Sequence, residues 1–407
     1  MRILVVTQYY YPEIGAASKR LTELTRLWEK QGHDVHVYTA IPNYPLGRVY
    51  KGYEENKSFI EEIEGITIFR NSVDRGKSES KFNKVKSYLS FMISSYKNVK
   101  KLLNNYDVVV TSVGPIFSGF IGHYISKRKK IPSVLEFRDI TFKSLEATNY
   151  TNNIVINLMK KLELYFCKKA NHVVTVTETY GRILEENGVG IGKMTTIPNG
   201  YLLDKEEEIN TSHIDHILKI INKEKEKERK IVGYFGTLGI SQGIEEIVEQ
   251  FLSVEKYTLL IIGNGSREQK IKKLAQDSDN IYVFGSVSSK GIQYLYSQVD
   301  FNLIKILNDP AFSGTIPSKI FEIIGNGGLP LYIGPQGEAQ EIICSINSHL
   351  YYEDISSMLY FLECLSLNKV EVQQLKLKGK KLLLDRYNRE KHAEIYLGVM
   401  NKTVNRI

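Results

Sequence analysis

Residues 230–239 read KIVGYFGTLG. Lys230–Phe235 is an apolar run of the kind found in strands buried on both faces of a parallel sheet. Gly236 and Gly239 then break it into a loop of small residues, and Gly243–Phe251 carries a helical pattern. Strand, glycine loop and helix make the repeating unit of a doubly wound α/β sheet. The same unit opens the chain, which begins MRILVVTQYYYPEIGAAS. Arg2–Thr7 is the strand, Gln8–Ala17 the loop, and Ala17–Gln31 a helix with Leu21, Leu24 and Trp28 on one face, ended by Gly32. The pattern starts twice, which predicts two Rossmann-like domains.

Between these two starts the sequence keeps alternating. Asp34–Ala40 reads as a strand through Val35, Val37 and Thr39. Phe59–Arg70 reads as a hairpin about Glu64-Gly65. Lys81–Leu103 reads as a long helix carrying Phe82, Val85, Leu89, Met92, Val99 and Leu103. Tyr106–Ser112, Ser133–Phe137 and His172–Thr177 read as buried strands. After Pro198-Asn199-Gly200 comes a charged stretch, residues 204–230, which reads as a linker with a solvated helix. Beyond 251, strands are predicted at Tyr257–Gly263, Asn280–Phe284, Phe301–Ile306 and Leu329–Ile333. Helices are predicted at Arg267–Gln276, Gly291–Ser297 and Pro317–Ile324, and an amphipathic one at Asn388–Val404. The expected domains are 1–205 and 206–385, with 386–407 a terminal helix crossing back to the first.

Composition limits the chemistry. The 407 residues are 42% hydrophobic and 25% charged, suited to two globular domains. No run approaches the roughly 20 apolar residues needed to span a bilayer. The opening Ile3-Leu4-Val5-Val6 reads as a strand rather than a secretion signal. Three scattered cysteines, Cys167, Cys344 and Cys364, exclude a thiolate zinc site and a disulfide framework, and suit a reducing cytoplasm. Residues 1–200 hold 29 Lys and Arg against 19 Asp and Glu, a net of +10, while the rest nets −2. That basic half predicts an anionic partner such as a membrane surface or a phosphate-bearing acceptor; a solvated lysine-rich surface is the plainer alternative.

Four segments carry candidate chemistry. In the first loop, Gly15 lets backbone approach a ligand at a helix start, although a tight turn needs glycine anyway. Glu136-Phe137-Arg138-Asp139 puts three charges at a strand tip, either as a structural Arg–Asp pair or as Arg138 and Asp139 directed at a sugar or a hydroxyl. The loop holding Gly236, Thr237, Gly239 and Gln242 favours a phosphate. Most informative is FSGTIPSKIFE, 312–322. Pro317 suits the first helical position, leaving the Ser318 and Lys319 amides unpaired in the first turn for a diphosphate. Lys319 adds a charge, and Glu322, one turn on, suits a ribose diol. Gly263 and Gly265 end a strand under the expected nucleotide, and Val287 ends the next, beside the base. His213 and His216 lie in the charged linker with no third ligand in view, so no metal site is expected.

In this order these segments resemble the retaining family-4 glycosyltransferases of the GT-B fold, over nearly the whole chain. The markers are QYYYPEIGAAS, Ile197-Pro198-Asn199-Gly200, GYFGTLG, IIGNGS and PSKIFE. The start, the EFRD segment and PSKIFE look most like bacterial enzymes of capsule or O-antigen synthesis, some of which transfer N-acetylfucosamine-type sugars. The resemblance implies an α/β protein whose two Rossmann-like domains face each other across a cleft. It further implies that Glu322 holds the ribose, that Ser318 and Lys319 bind the diphosphate, and that Arg20 and Asn43 lie on the acceptor side. The pattern departs from the family at four points, one being that the usual arginine partner is not evident after Gly236. Gly314 stands where a first acidic residue is usual, Gln242 where a lysine is common, and Arg138 about where many relatives have a histidine.

The expected activity is transfer of a sugar from a nucleotide diphosphate donor, UDP rather than GDP by resemblance, to a glycan or polyprenyl-diphosphate-linked acceptor. No metal or other cofactor and no nucleic-acid partner is expected. The leaving phosphate could itself take the acceptor proton, with Asp139 orienting. The expected place is the cytoplasm, with peripheral contact at the inner face of the cell membrane. Two alternatives stay open: a nucleotide-sugar 2-epimerase, and a non-catalytic relative that has lost the acid at Gly314.

Overall fold

The computed structural model describes residues 1–407 except 45–47, 56, 75–80, 104, 149–151, 204–210, 240–241, 365–367 and 406–407. They divide into two units, Met1–Asn199 with Arg389–Ile407, and Gly200–Asn388. The boundary expected near 205 falls outside the described residues.

The first unit begins with β1 (Arg2–Val6), α1 (Ala16–Lys30), β2 (Asp34–Ala40), β3 (Phe59–Ile63) and β4 (Ile66–Asn71). It continues with α2 (Lys81–Asn98), β5 (Val108–Val113), α3 (Phe117–Lys129), β6 (Ser133–Phe137), α4 (Thr141–Thr148) and α5 (Asn153–Lys169). It closes with β7 (His172–Thr175), α6 (Glu178–Glu186) and β8 (Met194–Thr196). The eight strands form one sheet in the order β3-β4-β2-β1-β5-β6-β7-β8. Every pairing is parallel except the β3–β4 hairpin.

The second unit runs α7 (Asp215–Glu226), β9 (Lys230–Phe235), α8 (Ile244–Phe251), β10 (Tyr257–Ile262), α9 (Glu268–Leu274) and β11 (Ile281–Phe284). Then come α10 (Ser289–Gln298), β12 (Phe301–Lys305), α11 (Lys319–Gly325), β13 (Pro330–Ile333), α12 (Glu338–Ile346) and β14 (Tyr351–Tyr352). The unit ends with α13 (Ile355–Cys364) and α14 (Lys369–Arg386), and α15 (Arg389–Val404) returns to the first unit. The second sheet is β11-β10-β9-β12-β13-β14, parallel throughout.

Both sheets are doubly wound. The strand order reverses between β1 and β5 in one and between β9 and β12 in the other, and in such sheets ligands bind where strand order reverses, at the carboxyl ends. The two glycine loops follow β1 and β9, so each lies at its sheet's switch point.

The apolar strands bury both faces because their side chains alternate. On β1, Ile3 and Val5 join the core under α1 and α15, while Leu4 and Val6 join the one under α2 and α3. Against α1 the terminal helix packs tightly: Trp28 is fully buried, donates from Nε1 to the Ala393 carbonyl at 3.1 Å, and meets the Tyr396 ring at 5.5 Å. The buried face of α2 is only partly the expected one, with Met92 packed on the core and Val99, just beyond the helix, buried as expected. Ser87, Phe91 and Ser95 face inward, while Val85 and Leu89 are exposed, as is Leu103 beyond the helix; the side chain of Phe82 lies outside the described residues.

Replacing Trp28 with alanine removes the largest side chain at the junction of α1 and α15. The Trp28→Ala variant should lose about 3–5 kcal/mol of stability, read from the shift in the urea midpoint.

Candidate active site

In the second unit, the loop after β9 is built against the loop after β10. The Gly236 amide donates to the Ile262 carbonyl and the Leu238 amide to the Asn264 carbonyl, each at 2.9 Å. A Cβ at Gly263 would overlap the Gly236 carbonyl, and one at Gly265 the Leu238 carbonyl. Glycine at 263 and 265 is therefore a requirement of loop-on-loop packing. The next loop is tied on in turn: Asn264 accepts from the Ser286 amide and donates to its hydroxyl, both at 2.9 Å. Val287, next along, packs partly into the core.

Lys319 reaches across to this assembly. Its ammonium donates to the Phe235 carbonyl at 2.5 Å and lies 5.5 Å from the centre of the Tyr234 ring. A Cβ at Gly236 would overlap it. Burial pushes the Lys319 pKa down, and the charge of Glu322 works in the other direction. Glu322, half-buried, also faces Tyr296, whose hydroxyl is raised by burial and then by that carboxylate.

The helix start differs from expectation. Pro317 is not the first helical residue; α11 begins at Lys319 with Ser318 as its cap, and the Pro317 carbonyl accepts from the Ile320 amide at 3.1 Å. Helical dihedrals at Ser318, φ −59° and ψ −24°, leave its side chain out of a capping role. Among the described residues, no hydrogen bond engages the Ser318 or Lys319 amides.

In the loop after β9, the Gln242 side chain folds over Gly239, leaving 2.6 Å between its Oε1 and the place of a Cβ there. Thr237 is exposed, and residues 240 and 241 lie outside the described residues. Gly243 takes the left-handed conformation, φ 56°, and its carbonyl accepts from Lys305 at 3.2 Å. Lys305, at the end of β12, also pairs with Glu246 at 3.2 Å. A lysine from the neighbouring switch strand thus stands at the loop where Gln242 replaces one. Gly314 is buried in a turn before α11. His213 bonds Ser288 at 2.7 Å and His216 packs on Phe284; among the described residues no cluster of three potential metal ligands occurs.

In the first unit the central group is Glu136, fully buried at the end of β6. It accepts from Arg20 Nε at 2.8 Å, from Ser112 at 2.6 Å, and from the Tyr396 hydroxyl. Burial opposes its charge, but Arg20, then Arg138, Ser112 and Tyr396 hold its pKa down at about 2. Arg20 spends its remaining donors on the carbonyls of Ile197 and Pro198, at 2.8 and 2.7 Å. It is 1% exposed, so it is a core residue and not the acceptor contact expected. Asn43 is likewise internal: its side chain donates to the Ile41 carbonyl at 2.8 Å.

Arg138 lies beside this network, its Nε 3.9 Å from Glu136 and its Nη2 pressed onto Gly114. That Nε makes no hydrogen bond among the described residues. Asp139 is exposed. Two buried glutamates that the sequence reading passed over hold the neighbouring loops. Glu163 accepts from the Thr141 amide at 3.1 Å and the Phe142 amide at 3.4 Å, capping α4 directly after Asp139. Glu13 accepts from the amides of Tyr10, Asn43 and Tyr44. Burial pushes both up to about 7. Gly15 caps α1 in an extended conformation, with the Tyr44 ring 3.1 Å from the place of its Cβ.

With this geometry established, likeness to known proteins becomes informative. Residues 17–205 match the model of Glycosyltransferase Family 4. A putative colanic acid biosynthesis glycosyl transferase, WcaI, of Escherichia coli (strain K12) is 24% identical over 337 residues, 81% of this chain and 82% of that protein. Sucrose-phosphate synthase from Thermosynechococcus elongatus matches in structure with a TM-score of 0.76 at 14% identity, over 100% of both chains. Anabaena Alr3699/HepE in complex with UDP-glucose matches with a TM-score of 0.64 at 12% identity, again over 100% of both. The fold is that of the GT-B glycosyltransferases, and this chain is a glycosyltransferase.

In this glycosyltransferase the signal for the missed centre was present in the sequence. A lone glutamate among Val134, Leu135 and Phe137 cannot stay charged in a sheet without partners. Glu136 gives a pH test. Its folded pKa lies below the ordinary 4.5, so its contribution is complete above 4.5 and lost as pH falls from about 4.5 towards 2. The Glu136→Gln variant leaves the Arg20 charge unpaired and should lose about 3–5 kcal/mol at pH 7. Urea unfolding at several pH values should show the wild type weakening across that window and the variant changing less.

Proposed function

We propose that the protein transfers a sugar from a UDP-linked donor to a glycan or lipid-diphosphate-linked acceptor during surface polysaccharide synthesis. The transfer retains anomeric configuration and uses no divalent metal. One observation carries the donor half: Lys319 reaches the carboxyl end of β9, on Gly236, with Glu322 one turn further along α11. UDP and UDP-glucose are bound by structural neighbours, and the E. coli relative is described as acting in colanic acid synthesis.

In this reading the diphosphate lies against the Ser318 and Lys319 amides, with Lys319 and Lys305 supplying positive charge and Glu322 holding the ribose. Thr237, Gly239 and Gln242 line the phosphates. Gly263, Gly265 and Val287 shape the base side, and Pro317 sets the approach of α11. A preorganised donor aimed at a developing anion contributes about 3 kcal/mol to a rate. The first unit takes the acceptor, with Gly15 in the loop that meets it. Arg138 and Asp139 orient the attacking hydroxyl, and the departing phosphate accepts its proton. That scheme needs no resident cofactor.

Calorimetric titration in EDTA tests the donor half. UDP should bind more tightly than GDP, and Glu322→Ala should weaken UDP by about tenfold or more, the cost of two lost charge-assisted hydrogen bonds. Absence of binding by either nucleotide would remove the donor assignment and favour the non-catalytic alternative. Conversion of a UDP-sugar to its 2-epimer without acceptor would favour the isomerase.

The acceptor half is proposed to work at an anionic membrane surface on the cytoplasmic side. No helix among the described residues is long and apolar enough to cross a membrane. Val85, Leu89 and Ile93 are exposed four residues apart on α2, and Ile154 and Leu158 on α5, in the half of the chain that nets +10. Lys127, Arg128 and Lys130 are exposed at the end of α3, whereas Lys129 donates to the Leu102 carbonyl at 3.1 Å. Neutralising those three as glutamines should weaken partitioning to phosphatidylglycerol vesicles by roughly fivefold per charge, about 1 kcal/mol each. Unchanged partitioning would count against membrane docking.

A further inference from the structure

At the carboxyl edge of the first sheet, three adjacent strands, β2, β1 and β5, deliver aromatic side chains to one neighbourhood. Tyr9 follows β1, Tyr44 follows β2, and Phe117 opens α3 after β5; Tyr88 joins them from α2. The Tyr9 and Tyr44 rings lie 5.1 Å apart, and those of Tyr88 and Phe117 5.9 Å apart. The pKa of the Tyr9 hydroxyl is raised first by burial and then by the nearby Tyr88, which places the two rings in one neighbourhood.

Tyr44 is 47% exposed, yet it is not loosely held. Glu13 accepts the Asn43 and Tyr44 amides at 2.7 and 2.8 Å, and the Tyr50 hydroxyl donates to the Tyr44 carbonyl at 2.8 Å. Its ring rests on Gly15. Ordering an exposed ring costs conformational entropy that water contact does not return. Ile14 and Tyr11, on the adjoining loop, are exposed as well, so the patch is contiguous along the chain.

Polar atoms at the same edge lack partners. Gln8, between β1 and Tyr9, is 2% exposed, and its Oε1 makes no hydrogen bond among the described residues. The hydroxyl of Ser118, next to Phe117, is buried and equally unpartnered. Buried polar atoms are normally satisfied, so orphans beside an aromatic row mark a place where a ligand supplies the bonds. A sugar ring fits both features: its C–H face packs on an aromatic ring, and its hydroxyls both donate and accept at the margin.

We propose that Tyr9, Tyr44 and Tyr88 form a platform for a pyranose ring of the acceptor, with Gln8 and Ser118 at its polar margin. The proposal rests on the transferase reading for the presence of a sugar acceptor, but it concerns the first unit alone.

Saturation-transfer NMR on the full chain tests it without nucleotide. The probes are the methyl glycosides of glucose, galactose, N-acetylglucosamine and fucose. Ring protons of at least one probe should be saturated by the wild type. Tyr44→Ala should weaken that binding about tenfold, and Tyr44→Trp, which keeps an aromatic face, should retain it. Tyr9→Phe, which keeps the ring and loses only the buried hydroxyl beside Tyr88, should cost less than Tyr44→Ala and guards against a folding artefact. UDP affinity should be the same in all four proteins. No saturation from any probe, saturation confined to the aglycone methyl, or equal binding by Tyr44→Ala would each overturn the platform. Loss of UDP binding in the wild type would instead overturn the donor reading and leave the glycoside result standing.

Discussion

The first unit is organised around one carboxylate. Glu136 is buried at a strand tip, and four side chains from four places in the chain converge on it: Arg20 from α1, Ser112 from β5, Arg138 from the following loop, and Tyr396 from α15. A buried ion pair is stabilising only when its geometry and remaining hydrogen bonds offset the loss of water. Here both partners are nearly saturated, because Arg20 also holds the Ile197 and Pro198 carbonyls. The consequence is structural specificity. The terminal helix, the first helix and the 197–199 segment must all be in place for any one of them to satisfy its polar groups. The Arg389–Glu23 pair, 2.9 Å and mostly buried, repeats the tie between α15 and α1.

This arrangement changes how the charged strand tip is understood. Glu136-Phe137-Arg138-Asp139 looks like a single charged motif in the sequence, but its members do different work. Glu136 is sequestered, Arg138 leans on it from 3.9 Å, and Asp139 keeps contact with solvent although burial of its carboxyl raises its pKa against the pull of Arg138. The loop is then fixed from the other side by Glu163, which caps α4. Arg138 and Asp139 are thus held between two buried carboxylates, which is how a loop at a strand end becomes rigid.

The sheets were legible in the sequence because buried parallel strands are continuous apolar runs, and the predicted strands occur with ends moved by two residues or fewer. Helices were legible only when their apolar face was wide. The pattern of α3 was missed: Gly119 and Gly122 lie on its buried face, and a Cβ at Gly122 would overlap Thr111, so the contact is made by absence of side chain. On α2 the expected face was wrong for a related reason. Ser87 and Ser95 turn inward because small polar residues let the helix come close, and the Tyr38 hydroxyl donates to the Ser95 carbonyl at 2.6 Å. Buried acids such as Glu13 and Glu163 were invisible because their partners are backbone amides, which no sequence pattern announces. Pro317 was misplaced by a helix that begins two residues later than its proline suggests.

One departure from the family pattern in the second unit, Gln242, has a basic side chain close beside it. Gln242 cannot supply charge, but Lys305 arrives at the same loop from the adjacent switch strand and bonds the Gly243 carbonyl. Lys319 is anchored on the Phe235 carbonyl and needs Gly236 bare beneath it. Both ammonium groups are therefore mounted on strand ends and on the first turn of α11. An ammonium fixed to a carbonyl keeps its direction when water is displaced, and the neighbouring Glu322 opposes the neutralisation that burial favours. Positive charge of this kind is set by where the strand and helix ends fall rather than by the side chain at Gln242.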